Sequence, residues 1–178
     1  MASGSSPVHD SAIKWPAFPD WAVAGIQREG WRARPVVGLS QVLVSGDFDA
    51  ALVAHAPGAT EIGLWAVAEG DPVALRIARD RVLLVGSGPL DVPLGWNGSW
   101  AASTAGDAWF VVDMEGPAMA DVIREGTAAD LDASSPSAAI LFAGVQAILY
   151  RRADRRARLH VEAPHGPYLW RWLEARAG

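Results

Sequence analysis

A chain of 178 residues with no cysteine and a net charge of −5 excludes several classes at once. Disulfide scaffolds, thiol catalysis and thiolate metal sites all need cysteine, and an acidic chain is a poor non-specific binder of nucleic acid. Arg, Asp, Glu or Gly interrupts every apolar stretch short of a membrane span, and the first residues hold no apolar signal core, so a cytoplasmic protein is expected.

The length suits one large domain or two small fused halves, with enough chain to bury a core unaided. Residues 1–38 read as an extended or partly disordered N-terminal arm, rich at first in Ser, Gly and Pro. Trp15, Phe18 and Trp21 are placed to pin that arm onto the body or onto a partner. A second irregular stretch is expected from Trp31 through Pro35.

Residues 39–89 form the first half. A strand is expected over 41–45 and a short helix over 47–55, stopped by Pro57-Gly58. Strands over 62–67, 73–78 and 82–85 follow, separated by the turns Gly70-Asp71-Pro72 and Arg79-Asp80. Residues 90–107 read as an irregular aromatic connecting loop centred on Trp96-Asn97-Gly98-Ser99-Trp100. Two indoles in a polar, Gly-bearing loop fit a partner contact or a domain plug better than a ligand wall.

Residues 108–178 form the second half. The apolar run 108–112 has the β-branched and aromatic content of a buried strand. Gly116-Pro117 breaks it, and Pro117 suits the first position of a helix. Met119, Val122 and Ile123 give that helix one apolar face, and Gly126 is placed just past its end. Strands over 138–142, 145–151 and 157–162 follow, and then a last helix over 168–176 with Leu169, Trp172 and Leu173 on its inner face. The same strand–Gly–helix unit occurs in the first half. Aligning Gly46 on Gly116 puts Leu52 on Val122 and Val53 on Ile123, which predicts an internal duplication with Phe48, Leu52 and Val53 buried. Strands punctuated by single helices argue an α+β fold with largely antiparallel sheets.

No nucleophile, base or metal constellation stands out. His9, His55, His160 and His165 show no ligand spacing, and there is neither a GxSxG nor a phosphate-loop motif. His160 is expected packed or solvent-facing in its strand, and His165 in a capping or turn role. Asp107, Asp113, Glu115, Asp130 and Asp132 read as solvated strand edges and helix flanks. The strongest charge feature is the run Arg151, Arg152, Arg155, Arg156 and Arg158. It fits a carboxylated or polyanionic ligand or an acidic partner, but a solvated hairpin tip that guards a sheet edge is the favoured reading. With Trp96 and Trp100, these arginines are the candidate ligand or partner contacts; no catalytic and no metal residue is assigned.

Three short stretches carry a family resemblance. Arg79-Asp80-Arg81-Val82-Leu83-Leu84-Val85 is similar to a strand that the family enters through a Pro-Asp-Glu-Trp-Leu type turn, Arg79 and Arg81 departing from it. Gly116-Pro117 followed by Ile123 and Ala129-Asp130-Leu131 is similar to a second motif. His160-Val161-Glu162-Ala163-Pro164 leading to Leu169-Trp170-Arg171-Trp172-Leu173 is similar to the family's ending. Over residues 39–177 the chain thus resembles the gamma subunit of heterotetrameric sarcosine oxidase. It resembles more distantly the folate-binding aminomethyltransferase domain of the glycine-cleavage T-protein. Gly144-Val145 departs from members that show a His before that strand.

The resemblance implies two ferredoxin-like β-α-β-β-β halves, as in the folate-binding aminomethyltransferase domain. It also implies an accessory, non-catalytic subunit of a flavin complex that oxidatively demethylates a small N-methyl amino acid. Larger flavin-bearing subunits would be the partners. This chain alone is expected to bind no cofactor, while FAD, FMN, NAD and tetrahydrofolate belong to the complex, mostly on other subunits. The family's gamma chain supplies no established catalytic residue to carry over. The alternative is a stand-alone binder of a folate-type small molecule. Its pterin-like ring would lie against Trp96 or Trp100 in the groove between the halves, with arginine on the carboxylate tail.

Overall fold

The computed structural model describes residues 19–176, so Trp15 and Phe18 lie outside the described residues. In chain order the strands and helices of the first half are β1 Ile26–Arg28, β2 Trp31–Pro35, β3 Ser40–Gly46, α1 Phe48–His55, β4 Thr60–Ile62, β5 Val73–Ala78 and β6 Arg81–Gly86. Those of the second are β7 Gly95–Asn97, β8 Trp100–Thr104, β9 Trp109–Glu115, α2 Met119–Gly126, β10 Ala139–Phe142, β11 Val145–Ala153, β12 Arg156–Glu162 and α3 Gly166–Glu174. The fold is α+β. Sheet I runs β1-β2-β9-β12-β11-β10, and sheet II runs β4-β5-β6-β3-β8-β7. Every pairing is antiparallel except β4 with β5.

Period-two alternation along the strands sorts the side chains into layers. Val112, Met114, Leu149, Leu159 and Val161 point outward from sheet I onto Met119, Val122 and Ile123 of α2 and Leu169 and Leu173 of α3. Val42, Val44, Val82 and Leu84 point outward from sheet II onto Phe48 and Ala51 of α1. The remaining faces meet each other, with Val73, Leu75, Leu83 and Val85 packed on Ile148 and Tyr150.

The halves repeat. The order β4-β5-β6-β3 in sheet II recurs as β10-β11-β12-β9 in sheet I. Each sheet is then completed by a hairpin from the wrong half. The β1-β2 hairpin precedes β3 in sequence yet pairs with β9, and the β7-β8 hairpin precedes β9 yet pairs with β3. Residues 31–35 and 90–105, expected to be irregular, therefore contain three of these four hairpin strands. The hairpin strands run only three to five residues, too short to show a pattern. The two-residue turn Gly98-Ser99 is nevertheless a hairpin signal, Gly98 having φ of 73°.

The two exchanges are held by one device. Gly46 and Gly116 both have left-handed φ, at 93° and 126°. A Cβ on Gly46 would lie 2.6 Å from the carbonyl oxygen of Ser99, and one on Gly116 would run into that of Gly30. Beside them the Asp47 N–H donates to Ser99 O at 3.1 Å, and the Ala118 N–H donates to Gly30 O at 2.9 Å. Only glycine lets the exchanged hairpin approach so closely at this φ.

Past the glycines the halves slip by one residue. Asp47 alone links Gly46 to α1 and caps it, accepting from the Ala50 N–H at 3.2 Å. Pro117 and Ala118 stand in its place before α2. Pro117 thus precedes the helix instead of opening it, and Gly126 closes it instead of following it. The slip corrects the expected face of α1. Phe48 and Ala51 are buried and Leu52 is half-buried, matching Met119, Val122 and Ile123, while Val53 is 76% exposed. The strand expected over 62–67 also stops early. After Ile62 the chain leaves sheet II, and the Ala68 N–H donates to Arg151 O of sheet I at 2.8 Å. In α3, Trp170 is buried with Leu169 and Leu173, and Trp172 packs at the margin on Phe142.

Candidate functional site

Directly opposed residues of neighbouring strands share a sheet face. In sheet I the register sets Arg34 opposite Asp113, Asp113 opposite Arg158, and Arg158 opposite Tyr150. Two residues along, Arg32, Glu115 and Arg156 form a parallel row; two residues the other way lies His160. All of these stand on the inner face. The outcome is a polar column that starts in an open cleft and ends deep between the sheets.

The inner end is buried. Asp113 is 6% and Arg158 9% exposed. Arg158 Nε donates to Asp113 Oδ1 at 2.6 Å and Nη2 donates to Oδ2 at 3.0 Å, a bidentate pair. Burial pulls the Arg158 pKa down, but the hydrogen bond and charge of Asp113, with Tyr150 behind it, outweigh that and hold it above its ordinary value. Burial raises the Tyr150 phenol. The imidazole of His160 is wholly buried, and burial together with the nearby Arg158 charge lowers its pKa to about 3, so the ring is neutral. Gln41 Nε2 donates to Gly106 O at 3.3 Å, which turns its Oε1 toward His160 Nδ1 at 3.0 Å. The proton therefore sits on Nδ1, and Nε2 is left to accept from the Tyr150 hydroxyl at 3.4 Å.

The outer end is a cleft of about 500 Å³ lined by Gln27, Arg32, Arg34, Asp113, Glu115 and Arg156 among others. Glu115 accepts from Arg32 Nε at 2.5 Å and from Arg156 Nη2 at 3.1 Å. The Arg32 hydrogen bond, opposed by partial burial and helped by Arg156, holds the Glu115 carboxyl below its ordinary pKa. Both oxygens of each carboxylate are thus engaged. Arg34 lines the same cleft and makes no hydrogen bond or ion pair among the described residues.

The arginine run is split by the pleat. Arg156 and Arg158 enter the column. Arg151 points away, donating to Trp65 O at 2.8 Å and lying 5.7 Å over that indole. Arg152 is half-buried, and Arg155 is exposed at the hairpin tip. Trp96 is 80% exposed on the edge strand of sheet II. Trp100 is instead buried, its ring 5.4 Å from that of His55 on α1, so it lines no groove between the halves. Trp31 is buried as well, and Trp21 packs on Phe110 and Trp170. Asp113 corrects the expectation of solvated carboxylates, since it is buried and paired. Gln41, Arg32, Arg34 and Tyr150 were not singled out in the sequence. Their signal is pairing register, which needs the partner strand. His165 opens α3 with no side-chain cap and with Nδ1 buried unpaired.

Among the described residues no group of three or more His, Cys, Asp or Glu is placed to hold a metal ion. No helix among them is long and apolar enough to cross a membrane. No protein-family model and no curated protein matches the chain. Among solved structures, the chain is similar to a chain of the heterotetrameric sarcosine oxidase from Corynebacterium sp. U-96 in complex with pyrrole 2-carboxylate. The TM-score is 0.64 at 20% identity, over 84% of each chain, and the likeness is one of fold.

Proposed function

We propose that this chain is an accessory, non-catalytic gamma-type subunit of a heteromeric, sarcosine-oxidase-like flavin complex. The complex oxidatively demethylates a small N-methyl amino acid. The observation that carries the reading is the fold likeness to a chain of a heterotetrameric sarcosine oxidase, covering 84% of both chains. The short motifs around Arg79, Gly116 and His160 support it independently, since they point to the same family from sequence. In this reading the flavins, NAD and tetrahydrofolate sit on the larger partner chains. This chain contributes packing surface, with the exposed Trp96 and Leu94 on one sheet edge as the apolar part.

Affinity purification of the chain at native expression level tests it. The expected result is a fixed stoichiometry with larger chains that carry flavin absorbance and oxidise an N-methyl amino acid. A monomer that elutes free of flavin-bearing chains overturns the reading.

A further inference from the structure

The internal repeat supplies a control for the polar column. The registers pair Leu43 with Ser103 and Leu83 in sheet II, and Asp113 with Arg34 and Arg158 in sheet I. They likewise pair Ser45 with Ala101 and Arg81, and Glu115 with Arg32 and Arg156. Leu75 and Val85 stand where Tyr150 and His160 stand. The same strand order is therefore built once with Leu, Ser, Ala and a single charge, Arg81 in the place of Arg156, and once with a row of charges. Folding this framework does not require those charges. A buried ion pair is in general no more stabilising than well-packed apolar residues in its place.

The charges do not cancel. Among the described residues Arg32, Arg156 and Arg158 make their ion pairs with Asp113 or Glu115 and Arg34 makes none, so four cations meet two anions and two positive charges remain, in a chain whose net charge is −5. The carboxylates are saturated by Arg32, Arg156 and Arg158, which fixes those guanidinium groups as walls. Arg34, exposed at the cleft, makes no hydrogen bond or ion pair among the described residues, and Gln27, opposite Arg32, adds an amide. About 500 Å³ is room for a small molecule. We infer that this cleft binds a small dianion that presents carboxylate or phosphate oxygens to Arg34, with Arg32, Arg156 and Gln27 around it. The site is independent of whether the chain joins an oxidase complex.

Titration calorimetry on the full chain tests it with succinate, inorganic phosphate and, as a single-charge control, acetate. Succinate or phosphate binds with Kd of about 1 mM or tighter, and acetate at least about tenfold more weakly. Which dianion binds assigns the oxygen donor class. Arg34→Ser and Arg32→Ala, the residue types of the other half, lose at least about tenfold in affinity at unchanged melting temperature. Arg79→Ala, an exposed cation on another hairpin, changes nothing. The inference is overturned if neither dianion binds below about 10 mM. It is equally overturned if the Arg34 and Arg32 variants bind like the wild type, or if Arg79→Ala weakens binding as much as they do.

Discussion

Asp113 and Arg158 are worth more to each other than to the fold. Arg158→Leu leaves a buried carboxylate with no partner and costs about 3–5 kcal/mol of stability. Asp113→Leu with Arg158→Leu reproduces the Leu43–Leu83 pair of sheet II and restores most of that loss in urea unfolding. A double variant as unstable as the single one would refute the equivalence of the two positions. His160 sets the acid limb of stability. Its folded pKa, about 3, lies below the ordinary 6.5, so its contribution is complete above pH 6.5 and is lost as pH falls from there toward 3. The slope is about 1.4 kcal/mol per pH unit within that window. His160→Val with Gln41→Val, the types at Val85 and Val111, removes that slope; unfolding free energies measured across the window check it.

At the scale of elements, α2 carries its half more fully than α1 does. Ile123→Ala empties a site with no exposure and costs about 2–5 kcal/mol. Val53→Ala and Arg155→Ala, both at the surface, shift the denaturation midpoint only marginally. Gly116→Ala combines a left-handed φ with a collision against the β1-β2 hairpin, so it destabilises more than an ordinary glycine substitution. The central β-α units were legible because each combines a run of β-branched residues, a glycine and an i, i+3, i+4 triplet. The face of α1 was misread by one position because the insertion of a residue after Gly116 leaves no local mark. The hairpins were missed because strands of three to five residues borrow their stability from the sheet they join. The polar column was illegible for a related reason: Arg34, Asp113 and Arg158 are far apart in sequence and meet only through register.

At the scale of the molecule, the exchange of hairpins ties the halves together. Each six-stranded sheet holds two strands from the other half. Neither half presents a complete sheet alone, so the chain unfolds in one transition. Far-ultraviolet circular dichroism and tryptophan fluorescence should give superimposable urea curves, Trp31 and Trp100 reporting from the two exchanged hairpins. Two separated transitions would contradict this.

The duplicated architecture has one more consequence. Two identical polypeptides that traded hairpins about a two-fold axis would build a pair of sheets with this strand order, but any substitution in one would appear in both. A cation row facing its own copy across the seam would repel itself. Joining the copies into one gene lifts that identity constraint. One lobe can stay largely aliphatic and keep the seam cohesive, while its twin is free to specialise. In this chain the difference between the lobes is Asp113, Arg158, Tyr150 and His160 set against Leu43, Leu83, Leu75 and Val85.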